Sequence, residues 1–174
     1  ALGANYHTVN RYLDILEQTF MVRKLSPYFT NIGKRLVKSP KVYIRDTGIL
    51  HSFLGCHSQK ELEEHPKRGM SWENFVIEQI SGQLALHHPG TEIFFWKTAT
   101  QQEVDLLIKK GSTLIPIEIK LHRSPKRSDL KGLVHCMKDL KIKQGYVVRS
   151  EGEPYSLGNG IEVVSLKDML TRLI

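Results

Sequence analysis

A chain of 174 residues that is 40% hydrophobic holds enough apolar material for one ordinary domain, or for a small and a medium one, and too much for a disordered segment. Its formal charge of +7 suits a polyanionic partner without requiring one. Cys56 and Cys136 stand apart with no CxxC spacing, so neither a disulfide framework nor a zinc site is indicated, a reducing cytoplasm is expected, and no run approaches the ~18 apolar residues of a membrane span.

The chain lacks an initiator Met and a helical pattern begins almost at once, so it reads as a fragment of something longer. Val9, Leu13, Leu16 and Phe20 recur at helical spacing, with Asn5 placed to cap. A β-like run follows over Met21–Leu25, and a basic stretch with Lys34, Arg35 and Lys38 leads to a second run, Lys41–Arg45. Helix, strand, basic turn and returning strand are the order of a winged helix-turn-helix, whose wing contacts phosphates through such residues as Lys34 and Arg35. Winged helices also serve as protein–protein modules. Asp46 reads as the N-cap of a short helix reaching Leu54. Residues 56–69 are polar and charged and form the best linker candidate, as a linker, surface helix or loop. This divides the chain into a winged-helix segment over 1–55 and an α/β domain over 70–174.

A long helix is expected from Met70 to about Leu86, with Val76, Ile77, Ile80 and Leu84 on one apolar arc. Glu73 falls within that arc, where a carboxylate must be paired, capped or coordinated. A strand over Glu92–Trp96 comes next, then two apolar runs carrying acids: Glu103-Val104-Asp105 and Ile117-Glu118-Ile119-Lys120. Strict alternation puts Glu103, Asp105 and Leu107 on one face and Val104, Leu106 and Ile108 on the other. A two-residue Gly111-Ser112 turn of type II′ sets Asp105 across from Glu118 and Glu103 across from Lys120. Opposed carboxylates repel, and a divalent cation is the obvious remedy. Arg123, Lys126, Arg127 and Lys131 then form a basic stretch. A helix over Asp129–Met137, strands over Gln144–Val148 and Ile161–Val164, and a closing helix capped by Ser165 complete the chain.

From Glu73 onward the order is α-β-β-β-α-β, with Asp105 and Glu118-x-Lys120 on the second and third strands. This arrangement resembles the PD-(D/E)XK nuclease superfamily, an α/β fold with a mixed sheet flanked by helices, although Val104 replaces the proline of that motif. More closely, Pro40–Gly48, Trp72–Val76, Glu103–Asp105 and Ile117–Lys120 resemble the C-terminal region of bacterial and archaeal AAA-type ATPases, a domain of unknown function. That resemblance covers nearly the whole chain and implies an ATPase domain upstream. No G-x-x-x-x-G-K-[ST] loop is present here, so no P-loop ATP site is expected in this chain.

Asp105 and Glu118 are suited to Mg²⁺ or its substitute Mn²⁺, with the carbonyl of Ile119 as a third ligand and Glu73 holding a metal water or a second ion. Lys120 is suited to orient a water or stabilise phosphate charge. The resemblance therefore implies metal-dependent DNA hydrolysis by Glu73, Asp105, Glu118 and Lys120, while the basic Lys34, Arg35, Arg123, Lys126 and Arg127 are the residues expected from their charge to contact nucleic acid. The alternative is a non-catalytic module that recognises nucleic acid or protein and regulates the ATPase. A third reading is an assembly domain.

Overall fold

The structure, a computed structural model, describes residues 5–28, 39–122 and 124–173. The basic stretch with Lys34, Arg35 and Lys38, and also Arg123, lies outside them. Helix α1 (Tyr6–Gln18) is capped by Asn5, whose Oδ1 accepts from the Thr8 N–H at 2.9 Å. Strands β1 (Val22–Leu25) and β2 (Lys41–Ile44) pair antiparallel, Val22 opposite Ile44 and Leu25 opposite Lys41. Asp46 caps α2 (Thr47–Phe53) through a 2.9 Å bond from the Ile49 N–H. The polar stretch 56–69 carries α3 (Gln59–Glu64), capped by Ser58, and the start of α4 (Arg68–His87).

The remaining elements are β3 (Glu92–Lys97), β4 (Glu103–Lys110), β5 (Thr113–Ile119), α5 (Lys131–Asp139), β6 (Gly145–Arg149), β7 (Tyr155–Gly158), β8 (Ile161–Ser165) and α6 (Leu166–Arg172). A 3-10 turn over Arg127–Leu130 leads into α5. The six strands form one mixed sheet in the order β3-β4-β5-β6-β8-β7. Its β3–β4–β5 half is antiparallel, β5–β6–β8 is parallel, and β7 returns antiparallel on β8. Strand β7 is absent from the sequence reading. It is a short edge strand, half exposed, in a stretch rich in Gly, Pro and Asn that carries little apolar alternation. At the other edge β3 is covered: the Tyr28 N–H donates to the Phe95 carbonyl at 2.7 Å and the Phe95 N–H to that of Ser26 at 3.0 Å.

Helices cover both faces, because strands such as Val147-Val148 and Val163-Val164 are apolar on both sides. On one face Val76, Ile77, Ile80 and Leu84 of α4 and Met169 and Leu173 at the C-terminal end pack with Leu25, Tyr43, Leu106, Ile108, Ile117 and Ile119. On the other, Leu130, Leu133, Cys136 and Met137 pack on Trp96, Val104, Leu107, Val147 and Val163. No helix among the described residues is long and apolar enough to cross a membrane.

The β4–β5 hairpin closes on Gly111-Ser112, with Lys110 opposite Thr113 and Leu106 opposite Ile117. Gly111 has φ 59°, and Ser112 is not among the positive-φ residues, as a type II′ turn requires. The expected alternation along β4 does not hold. Phe94 faces Leu107 and Trp96 faces Val104, so Phe95 alone opposes both Asp105 and Leu106. This is a β-bulge, which re-aims side chains. Val104 consequently packs with Leu107 on the α5 face, not with Leu106 and Ile108.

The N-terminal elements dock onto α4 through polar bonds as well as the core. Buried Asn74 donates from its Nδ2 to the Ile44 carbonyl at 2.7 Å, and Glu78 accepts from both Arg23 and Arg45. Asn74→Ala is expected to cost about 1–2 kcal/mol in denaturant unfolding. Amide exchange in β1 and β2 should quicken at the same time.

Candidate functional site

Strands β4 and β5 run antiparallel, so the start of one lies beside the end of the other. That places Glu103 and Asp105 next to Glu118, Ile119 and Lys120, at the carboxyl end of the parallel strands. The paired register stops at Leu106 opposite Ile117, one short of the two acids. The Asp105 carboxylate takes over there, accepting the Ile119 N–H on Oδ2 at 2.8 Å.

Glu118 is 6% exposed. Its Oε1 accepts from Lys120 Nζ at 2.6 Å, while its Oε2 is buried without a hydrogen-bond partner. Burial pushes the Asp105 carboxyl well above the usual carboxylate range, and the negative charges of Glu118 and Glu73 push it further. Burial likewise raises Glu118, against the opposing pull of Lys120. Lys120 pays a burial penalty but is held charged above the ordinary lysine value by Glu118, Asp105 and Glu73.

Glu73 comes from the first turns of α4 and is half-buried, not sealed inside the apolar arc. Its Oε1 accepts from Tyr43 Oη at 2.6 Å and Lys41 Nζ at 3.2 Å. The phenol of Tyr43 is pushed up by burial and by the adjacent Glu73, so it stays a donor. Lys41 also reaches Glu103 Oε1 at 2.5 Å and Asp105 Oδ1 at 3.9 Å.

The expected Glu103–Lys120 pair does not form. Glu103 is taken by Lys41 and, at 2.6 Å, by Lys97 from the end of β3, whose backbone lies directly opposite Glu103. These two lysines hold the Glu103 carboxyl below its usual range although burial works against them. Lys120 turns instead to Glu118.

The four residues Glu73, Asp105, Glu118 and Lys120 therefore meet in one cluster with Glu103, joined by Lys41, Tyr43 and Lys97, which sequence reasoning did not assign to it. A signal for Lys41 and Tyr43 was available. They share one face of β2, yet the exposed residue between them is Val42, so the polar side faces inward. Lys126 and Arg127 lie exposed at the 3-10 turn, where the Lys126 N–H donates to Asp129 Oδ2 at 3.0 Å, and neither takes part in the ion pairs described for the cluster.

Among the described residues, no three His, Cys, Asp or Glu side chains form a ready cage for a metal ion. The Asp105–Glu118 pair nonetheless fits Mg²⁺, which binds through one or two carboxylates and keeps several waters. The unpartnered Glu118 Oε2 beside a carboxyl that resists ionising marks a deficit of positive charge at that point.

Fold and cluster together define a mixed α/β domain with a charged centre at the carboxyl end of its parallel strands. Residues 68–169 match the model of a domain of unknown function, DUF4143, and the chain belongs to that family. Residues 1–60 match a second domain of unknown function, DUF8612. The chain is similar to two uncharacterized proteins, Rv2008c of Mycobacterium tuberculosis and Mb2031c of Mycobacterium bovis. It is 37% identical to each over 94% of its own length and 36% of theirs. It thus spans about a third of these curated relatives.

Proposed function

We propose that this domain is a metal-dependent nuclease of the PD-(D/E)XK type, cutting phosphodiester bonds of DNA within a cytoplasmic, ATPase-linked protein. The carrying observation is the buried Glu118 carboxylate, one oxygen unpartnered and the other on Lys120, beside the charge-resisting Asp105. Asp105 and Glu118 would hold Mg²⁺ or Mn²⁺, with the Ile119 carbonyl and a Glu73-held water completing the set. Bound there, the ion supplies Lewis-acid polarisation of the phosphodiester and a more acidic water. Lys120 keeps its ammonium at the cluster, where it orients the attacking water and stabilises charge on phosphate. The frequent position of this family C-terminal to AAA ATPases supports the link to an upstream ATPase domain.

Residues 1–55 are read as a winged helix, 56–69 as the connection and 70–174 as the nuclease-like domain. The two family models end and begin at residues 60 and 68, which supports that division. Lys126 and Arg127, with Lys34, Arg35 and Arg123, would track the DNA backbone, a contact that weakens with salt. The alternative is a non-catalytic recognition or regulatory module of the ATPase, supported by the exposed, basic Lys126 and Arg127.

The test is cleavage of DNA with Mg²⁺ or Mn²⁺, paired with Mn²⁺ calorimetry. The chain should bind the ion and cut, while Asp105→Ala loses both and Lys120→Ala loses cutting, each remaining folded. Cleavage that survives both substitutions is a contaminant, and absence of Mn²⁺ binding at millimolar concentration rejects the nuclease in favour of the module.

A further inference from the structure

The nuclease reading has no need of Lys41, yet this lysine makes more contacts with the acids than any other cation described in the cluster. Its ammonium is ringed by Glu103 Oε1 at 2.5 Å, Glu73 Oε1 at 3.2 Å and Asp105 Oδ1 at 3.9 Å. The Phe95 ring closes a further side, its centroid 5.5 Å from Nζ. Two residues along the same face of β2, Tyr43 donates to the same Glu73 oxygen and so holds that carboxylate toward Lys41. Asp105 divides its carboxylate, with Oδ2 on the Ile119 N–H and Oδ1 toward Lys41.

Phosphodiesterases that use two metals place them about 3.5–4 Å apart, with acidic side chains around both. Here the acids fall into two sets that share Asp105. One is Asp105 with Glu118, whose Oε2 is unpartnered; the other is Glu73, Glu103 and Asp105 Oδ1, already filled by an ammonium. We infer that Lys41 stands as a permanent cation where a two-metal enzyme holds its second ion, so that this centre takes one divalent cation and not two. The inference rests on the metal reading above and adds to it the count of ions and the residue that sets it. A divalent ion entering the second set must displace the ammonium or lie against it, and repulsion between like charges in a poorly solvated cluster opposes both. Lys41 therefore acts as a positioning residue, fixing Glu73 and Glu103 from outside the Asp105–Glu118 pair.

Mn²⁺ calorimetry and electron paramagnetic resonance on the 174-residue chain test this. The wild type should bind one ion and show an isolated Mn²⁺ signal. Lys41→Ala should bind two and show the spectrum of a spin-coupled pair, and Lys41→Arg, which keeps the charge, should return to one. Circular dichroism checks folding, and Lys41→Gln, neutral but still a donor to Glu103, replaces the alanine variant if that one does not fold. Two ions in the wild type, or one or none in the folded neutral variant when the wild type binds, overturn the inference and leave the metal reading standing. Binding by the neutral variant alone overturns the ion count, since Lys41 then blocks the centre outright. Absence of binding to every variant overturns the metal reading and the inference together.

Discussion

Asp105→Asn should stabilise the metal-free protein by about 1–2 kcal/mol near neutral pH, an expected rise in Tm of roughly 3–6 °C, while weakening Mn²⁺ binding at least ten-fold. The asparagine carbonyl can still accept the Ile119 N–H that Asp105 accepts at 2.8 Å. What disappears is a carboxylate that burial, Glu118 and Glu73 all disfavour. The sign follows from proton linkage. A carboxyl whose folded pKa is raised binds more protons in the folded state than in the unfolded one. Its contribution to stability is complete below the ordinary aspartate value of about 3.9 and is lost as pH rises through the folded pKa. The gap between variant and wild type should therefore narrow as pH falls from 7 toward 4. Thermal melts at a series of pH values measure it, and a gap that is absent at pH 7 or widens with acid would refute the electrostatic account. Both results together would mark the exchange of stability for function expected of a buried ligand carboxylate.

Gly132→Ala is expected to cost roughly 2–3 kcal/mol and to lower Tm by about 5–10 °C. A Cβ at this position on α5 would stand 1.9 Å from the Glu103 carbonyl oxygen and 2.9 Å from its carbon. Those are backbone atoms of β4, which cannot rotate away. The helix must lift or the first residue of β4 must shift, and Glu103 carries the ion pairs to Lys41 and Lys97. Gly82→Ala on α4 is the control, since a Cβ there meets nothing within 4 Å. Removing a helical glycine's backbone freedom should there raise stability by up to about 1 kcal/mol. Denaturant unfolding of the two variants should give opposite signs.

Much of this fold was legible because local rules agree with the tertiary outcome. Asn5, Asp46 and Ser165 cap the helices they precede, and the arc from Val76 to Leu84 is buried. Gly111-Ser112 closes the hairpin in the register its length demands. Asp105 and Glu118 drew notice because acids in apolar strands are rare and need a reason, and Glu73 because it falls on an apolar helical arc. What could not be read was anything set by distant neighbours. The bulge at Asp105-Leu106 depends on which residues of β3 lie opposite, and period-two reasoning has no term for an extra residue. Lys120 was paired with Glu103 by extrapolating the ladder past the point where it stops. Lys41 and Lys97 reach the cluster from β2 and β3, and sequence alone does not say which strands converge.

The Lys41 contacts also impose an order on biosynthesis. Lys41 is made before any of its acidic partners, and Glu73 follows 32 residues later. At about 5–20 residues per second, that is a delay of roughly 2–6 s, with Glu103 and Asp105 later still. Through that interval Lys41 lacks all three of the acids it meets in the folded chain. The cluster is thus assembled only when β5 and Lys120 are translated and β5 has paired with β4, and a nascent chain halted at α4 lacks Asp105, Glu118 and Lys120 altogether.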